Sequence, residues 1–150
     1  MKKALFIGGT GTISMAISKL CVKKGWQLYL LNRGNQPLPE GAVSLKCDIN
    51  DEEAVKKLIG DMHFDVVADF IVFTLDQLER DIRLFSGRTE QYIFISSASA
   101  YQKPLVDPVI TESTPLVNPY WQYSRNKIAC EERLMKEFRE NGFPVTIIRP

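Results

Sequence analysis

Short apolar runs of strand length alternate with segments of helical periodicity along the whole chain of 150 residues. This alternation is typical of parallel βαβ units, because a parallel strand needs a long crossover, usually a helix, to return beside its neighbour. The runs expected to form strands are 3–8, 27–32, 43–47, 65–73, 91–96 and 145–149. Strands separated by helices in this way predict an α/β fold in one domain, a doubly wound parallel sheet (Rossmann fold) in three layers, αβα.

The segments between these runs carry helix start and stop signals. Asn50 is the expected N-cap of the helix that follows the third strand, and Thr74 begins a capping box. An Asn-Pro pair at 118–119 is expected to begin a long last helix that ends at an Asn-Gly pair. The first helix, 12–24, has an apolar stripe that we expect to face the core, formed by Ile13, Ile17, Leu20 and Cys21.

Composition and charge exclude several classes of function. The net charge is +1, so no strong field is expected to attract nucleic acid or an anionic membrane. The apolar runs are too short to span a bilayer, and no signal-peptide cleavage site follows the first residues. The cysteines are widely spaced and match no metal-binding pattern, so we expect reduced thiols, no metal and a cytoplasmic location.

A glycine-rich turn lies between the first strand and the first helix. Glycine allows the backbone to turn tightly and to approach a phosphate closely, while the free N–H groups of the helix start favour an anion. The alternative is a turn that is merely tight. We expect a dinucleotide to bind here through Gly8, Thr10, Gly11, Thr12 and Ile13. Ser14 stands where the motif has its third glycine, and it is small enough to preserve close packing.

The end of the second strand bears on the choice of cofactor. An acidic residue there would bind the ribose 2′-hydroxyl of NAD, whereas an arginine accommodates the 2′-phosphate of NADP. This chain has Asn32 and Arg33 and no acidic residue, which favours NADP, with NAD as the second choice. The alternative is that Arg33 is a solvated loop charge.

Tyr123 and Lys127 form a candidate acid/base pair on the last helix. Their spacing of four residues places both side chains on one face. A nearby ammonium stabilises a phenolate and lowers the pKa of the phenol from about 10, which brings proton transfer near neutral pH within reach. Ser97 follows the fifth strand at the carboxyl edge of the sheet, where its hydroxyl is expected to hold a substrate oxygen or simply to cap the strand end.

These motifs together resemble the extended short-chain dehydrogenase/reductases, the NAD-dependent epimerase/dehydratase family. The resembling segments, read in this numbering, are 8–11, 48–49, 65–67, 95–101, 123–127 and 147–150, which span nearly the whole chain. The resemblance implies that Ser97, Tyr123 and Lys127 are the catalytic residues, with Tyr123 as the acid/base. It also implies cofactor contacts from Lys127, which would bind the nicotinamide ribose, and from Asp48, Ile49, Phe70 and Pro150.

Two departures from the family pattern limit this resemblance. Phe70 and its apolar neighbours stand where the family commonly has small residues beside the cofactor. The family also continues beyond the Arg-Pro pair at 149–150 with a substrate domain. We therefore expect 1–150 to be the dinucleotide-binding domain of a truncated chain that is inactive alone.

The expected function is hydride transfer at a hydroxyl or carbonyl carbon by an NAD(P)-dependent oxidoreductase, epimerase or dehydratase. The substrate is expected to be a small molecule, with sugar nucleotides as the family's commonest class. The alternative is a non-catalytic dinucleotide-sensing or RNA-binding protein, against which stand the neutral charge and the lack of a basic-aromatic stripe. The resemblance also suggests a homodimer formed through 74–85 and 119–141, and Glu131 and Glu132 are expected on a solvated face.

Overall fold

Six parallel strands form a single sheet in the order β3-β2-β1-β4-β5-β6 in the computed structural model, which describes residues 1–150. The strands are β1 (Lys3–Ile7), β2 (Gln27–Asn32), β3 (Val43–Lys46), β4 (Val66–Asp69), β5 (Tyr92–Ile95) and β6 (Val145–Ile148). The helices are α1 (Thr12–Lys23), α2 (Glu52–Ile59), α3 (Leu75–Phe85) and α4 (Gln122–Asn141), with a 3₁₀ turn at Ala98–Ala100. The predicted doubly wound α/β fold is confirmed, and its strand order reverses between β1 and β4.

Alternate residues of each strand face opposite layers. Leu5 and Ile7 of β1 pack into the larger core cluster with α2, α3 and α4, whereas Ala4 and Phe6 belong to a smaller cluster beside α1. The sheet therefore has helices on both faces, with three of them on one side. None of the helices is long and apolar enough to cross a bilayer.

The prediction that the apolar stripe of α1 faces the core is wrong. Ile13 and Leu20 are 55% and 52% exposed, while Ser14 and Ser18 are buried. The serine hydroxyls explain this orientation, because Ser14 Oγ donates to the carbonyl of Gly8 at 2.9 Å and Ser18 Oγ donates to that of Gly9 at 2.8 Å. These hydrogen bonds hold the polar side of the helix against the glycine turn and leave the apolar stripe largely exposed.

The fourth strand is shorter than predicted. It ends at Asp69, whose Oδ1 accepts a hydrogen bond of 2.6 Å from the backbone of Ile71 and turns the chain away from the sheet. Ile71 and Phe73 are consequently about two-fifths exposed, at 37% and 42%. A continuous apolar run cannot reveal such a turn, because the turn depends on one local side-chain acceptor.

Two helix starts also differ from prediction. Asp51 rather than Asn50 caps α2, accepting from the backbone of Ala54 at 3.0 Å. The last helix begins at Gln122, because Asn118 is used elsewhere: its Nδ2 donates to the carbonyl of Ser99 at 2.8 Å. The predicted end of α4 is confirmed, with Gly142 in the left-handed conformation.

Candidate functional site

A cleft of about 790 Å³ opens at the carboxyl ends of β1, β2 and β3 and beside the segment that follows β4. Open α/β sheets bind ligands at this edge, next to the point where the strand order reverses. The cleft is lined by eight of the predicted cofactor residues, Gly8, Thr10, Gly11, Thr12, Asn32, Arg33, Asp48 and Ile49. The same wall includes residues that were not predicted, among them Asn50, Ile71, Phe73 and Gln77.

The glycine turn has the geometry of an anion site. Gly8 has a φ of 74°, and a Cβ on Gly9 would lie 2.4 Å from Leu30 Cδ2, so both positions need glycine. No protein acceptor engages the backbone N–H groups of Thr12 and Ile13 at the start of α1. Free amides and the helix dipole together favour a phosphate at this point.

Ser14 closes the turn in place of a third glycine. Its hydroxyl accepts from the backbone N–H of Gly11 at 2.8 Å while donating to Gly8. The Ile13 side chain, by contrast, is exposed and does not line the cleft, so this residue is available to a ligand through its backbone.

The end of β2 presents an unpaired amide to the cleft region. Asn32 Oδ1 accepts from the backbone of Gly34 at 2.8 Å, but Asn32 Nδ2 is buried and has no hydrogen-bond partner. A buried unpaired donor costs free energy that an acceptor on a ligand would recover. Arg33 is exposed at the same rim of the cleft.

The loop after β3 forms the next part of the cleft. Asp48 Oδ1 accepts from both the backbone N–H and the Nδ2 of Asn50, at 2.9 and 3.0 Å. Ile49 is buried beneath this turn and joins the larger core cluster. Asp48 and Ile49, which the family resemblance assigns to the adenine, are therefore both held in place by this turn.

Lys127 is almost completely buried, at 2% exposure. Its Nζ donates to the carbonyls of Val72 and Ile95, at 2.6 and 2.7 Å. The ammonium also lies 4.9 Å from the ring centre of Phe73 and 5.6 Å from that of Tyr123. Burial lowers the pKa of Lys127 to about 8, which allows this amine to lose its proton not far above neutral pH.

Tyr123 stands in an aromatic group at the start of α4. Its ring centre is 4.8 Å from that of Trp121 and 6.2 Å from that of Phe73. Phe73 also lines the cleft, so the cleft and the Tyr–Lys pair meet at this side chain. The structure thus brings the predicted acid/base pair to the edge of the predicted cofactor site.

Ser97 is linked to α4 indirectly. Its Oγ accepts from the backbone of Ser99 at 3.2 Å and lies 2.9 Å from Ser99 Oγ, which in turn accepts from Ser124. No hydrogen bond joins Ser97 to Tyr123. Ser97 therefore caps the 3₁₀ turn at Ala98–Ala100 rather than the end of β5, and any contact with a substrate would have to be made alongside this role.

Four predicted cofactor residues do not line the cleft: Ile13 and Lys127, described above, and Phe70 and Pro150. The Phe70 ring packs on the opposite face of the sheet, 5.5 Å from that of Phe6, and lines an apolar groove beside α1. The turn made by Asp69 causes this placement and presents Ile71 and Phe73 to the cleft instead. Pro150 is exposed, and its carbonyl accepts from Ala98 at 3.1 Å, next to Ser97.

Glu131 was expected in solvent but is buried at 2% exposure. Its carboxylate accepts from Arg149 Nε at 3.0 Å and from Ser96 Oγ, while Arg149 Nη1 donates to Tyr101 at 3.0 Å. This network joins the ends of β5 and β6 to α4, directly behind Ser97. The sequence did contain a sign that Glu131 is buried. Glu131 follows Lys127 by four residues, so the two side chains lie on the same face of α4.

Comparisons with known proteins agree with this fold. The model of the NAD dependent epimerase/dehydratase family matches residues 82–150. The chain is 30% identical to the chloroplast stem-loop binding protein of 41 kDa b from Arabidopsis thaliana, over 99% of this chain and 41% of the relative.

Solved structures match the chain over 99% of its length. One is UDP-glucose 4-epimerase from Bifidobacterium longum in complex with NAD⁺ and UDP, with a TM-score of 0.85, 18% identity and 52% of that chain covered. Another is dTDP-glucose 4,6-dehydratase from Bacillus anthracis in complex with NAD, with a TM-score of 0.81, 16% identity and 54% covered. The chain thus spans about half the length of these proteins. Residues 82–150 thus match the model of the NAD dependent epimerase/dehydratase family, and the whole chain has the fold of these solved enzymes.

Proposed function

We propose that the chain forms the dinucleotide-binding domain of an NAD-dependent epimerase, dehydratase or related oxidoreductase. The observation that carries this proposal is the position of Phe73, which lines the cleft and also contacts Tyr123 and Lys127. Phosphate-binding groups and an acid/base pair therefore share one continuous surface. A substrate domain that completes the site is part of the same proposal.

The residues of the cleft fit a nicotinamide dinucleotide. The free amides of Thr12 and Ile13 suit its pyrophosphate, and the unpaired Nδ2 of Asn32 suits an oxygen of the adjacent ribose. Asp48 and Ile49 would contact the adenine. When bound, the nicotinamide ring exchanges a hydride with a carbon that bears oxygen.

We place NAD before NADP as the cofactor. The preference for NADP rests on Arg33 and on the lack of an acidic residue at the end of β2, and Arg33 is exposed at the rim of the cleft. Both solved relatives described above hold NAD. An arginine at the rim does not exclude NAD, because its side chain can remain in solvent.

Tyr123 would give a proton to, or take one from, the substrate oxygen at its phenol oxygen. Lys127 Nζ lies 5.6 Å from the centre of the Tyr123 ring, so Tyr123 would transfer the proton beside a buried amine. Ser97 would orient the same substrate oxygen. By likeness to the solved relatives, which act on UDP-glucose and dTDP-glucose, we propose a sugar nucleotide as the substrate.

The proposal is tested by titrating the protein with NADH and NADPH and following nicotinamide fluorescence. Gly11 caps α1, and its backbone φ of −81° accepts other residues, so Gly11→Asn and Gly11→Asp form a matched pair. Either side chain enters the cleft, so we expect both variants to bind NADH more weakly than the wild-type protein, and Gly11→Asp to bind it most weakly, because only the aspartate repels a pyrophosphate. Equal binding by the two variants, or no binding of either nucleotide by the wild-type protein, would contradict the proposal.

The alternative of a non-catalytic dinucleotide-sensing or RNA-binding protein is not favoured, because the solved relatives described above are an epimerase and a dehydratase.

A further inference from the structure

Four polar side chains that take no part in the proposed chemistry are buried between the sheet and α3. Arg80 is 4% exposed, and Asp69, Asp81 and Tyr92 are at most 1% exposed. Arg80 donates to Asp81 Oδ1 from Nε at 2.9 Å and from Nη2 at 2.7 Å. The Tyr92 hydroxyl donates to the other oxygen of Asp81 at 2.5 Å. The cluster is therefore closely hydrogen-bonded within itself.

The remaining nitrogen of Arg80 reaches the cleft. Its Nη1 donates to Asn50 Oδ1 at 2.8 Å, across 30 residues of sequence. Asn50 lines the cleft and holds the carboxylate of Asp48 through two hydrogen bonds. Because the Asn50 oxygen is fixed by Arg80, the amide group is oriented with its nitrogen toward Asp48.

The same guanidinium also contacts the buried end of β4, next to Ile71 in the opposite wall of the cleft. Arg80 Nη2 lies 3.5 Å from Asp69 Oδ2, and Asp69 Oδ1 accepts from the backbone of Ile71. Ile71 in turn packs against the glycine turn so closely that a Cβ on Gly8 would lie 2.6 Å from its Cγ2. One buried side chain thus connects the loop after β3, the turn after β4 and, through Ile71, the phosphate loop.

A buried ionic cluster is not needed for stability, because well-packed apolar residues of similar volume serve as well or better. The guanidinium of Arg80 is better explained by the groups that it orients, since a guanidinium can fix the direction of several acceptors at once. Arg80 does not itself line the cleft.

We propose that Arg80 is a positioning residue of the dinucleotide cleft, which holds the loop 47–51 at Asn50 against the end of β4 at Asp69. The proposal rests on the proposed function only for the identity of the ligand. The contact between Arg80 and Asn50 exists in the protein without any ligand, and this contact can be tested separately.

The first measurement is hydrogen exchange by NMR on the ligand-free protein. We expect Arg80→Lys and Asn50→Ala to speed exchange of the Asn50 and Asp51 amides roughly tenfold, the effect of losing a hydrogen bond to a charged group. Arg83→Lys is the matched control, because Arg83 also joins α3 to α2, through an exposed pair with Glu52. The rate of amide hydrogen exchange in loop 47–51 of Arg83→Lys should equal that of the wild-type protein.

The second measurement is NADH affinity in the same proteins and in the double variant. We expect each single variant to weaken binding roughly tenfold and the double variant to be no weaker than the worse single one, because both remove the same contact. Additive losses, or unchanged exchange in loop 47–51, would overturn the proposal. If Arg80→Lys does not fold, amide exchange in Asn50→Ala decides alone, since Asn50 is exposed and its replacement leaves the core intact. If the wild-type protein binds no NADH, the proposed function is wrong. The exchange measurement would still show whether Arg80 holds loop 47–51.

Discussion

The ring of Phe73 lies 6.2 Å from the ring of Tyr123, centre to centre, and so joins the cleft to the candidate acid/base pair. This contact exists because Asp69 ends β4 early and turns the following residues out of the sheet. Phe73 and Phe70 therefore lie on different sides of the sheet, although they are only three residues apart.

These two phenylalanines allow a matched test of where the cofactor binds. Phe73→Ala should weaken NADH binding several-fold, because it removes a wall of the cleft and admits water to Lys127. Phe70→Ala should leave the affinity for NADH unchanged, since Phe70 lines the groove beside α1. Fluorescence titration of the two variants measures both affinities. A larger loss of NADH affinity in Phe70→Ala than in Phe73→Ala would indicate that the cofactor binds in the groove beside α1, and would contradict the proposed cleft.

The glycine turn should respond differently at its second and third glycines. Gly9→Ala places a Cβ 2.4 Å from Leu30 Cδ2, so the side chains must shift, and we expect a loss of about 1–3 kcal/mol in the free energy of unfolding. Gly11→Ala should cost little, because the nearest atom to its Cβ is 3.5 Å away and its φ is negative. Urea denaturation of both variants checks this order, and equal losses would contradict the packing at Gly9.

The buried amine of Lys127 should make stability depend on pH. Burial lowers the pKa of Lys127 from its ordinary 10.5 to about 8, so between these values the unfolded chain holds a proton that the folded protein has released. The free energy of unfolding therefore rises with pH across this window, by about 3 kcal/mol relative to Lys127→Met.

Urea denaturation of the wild-type protein and of Lys127→Met, at a series of pH values from 7 to 10.5, measures this difference. Lys136→Met, which removes an exposed lysine from the same helix, is the control and should follow the wild-type protein. A constant difference between the wild-type protein and Lys127→Met at every pH would show that burial does not shift the pKa of this amine.

Neutralising Glu131 should destabilise the fold much more than neutralising its neighbour. Glu131→Gln leaves Arg149 without its carboxylate partner in a largely buried site, which should cost about 2–4 kcal/mol. Glu132→Gln should cost less than about 0.5 kcal/mol, because Glu132 is exposed. Thermal unfolding of the two variants compares these losses, and similar melting temperatures would contradict the role given to the Glu131–Arg149 pair.

Some features of this protein could be read from neighbouring residues alone. The alternation of strands and helices, the glycine turn and the spacing of Tyr123 and Lys127 all depend on local periodicity, and the structure has each of them. The end of α4 at Gly142 is of the same kind, because a left-handed residue is a local requirement.

Other features depend on contacts between distant segments. The orientation of α1 follows from hydroxyls that bind the glycine turn, and the burial of Glu131 follows from Arg149, which comes directly after the last strand. Arg80 appears in the sequence as one more charge on an amphipathic helix, yet its partners come from the loop after β3 and the end of β4. A polar side chain is buried only where the folded chain supplies a partner for it, and periodicity carries no information about that partner.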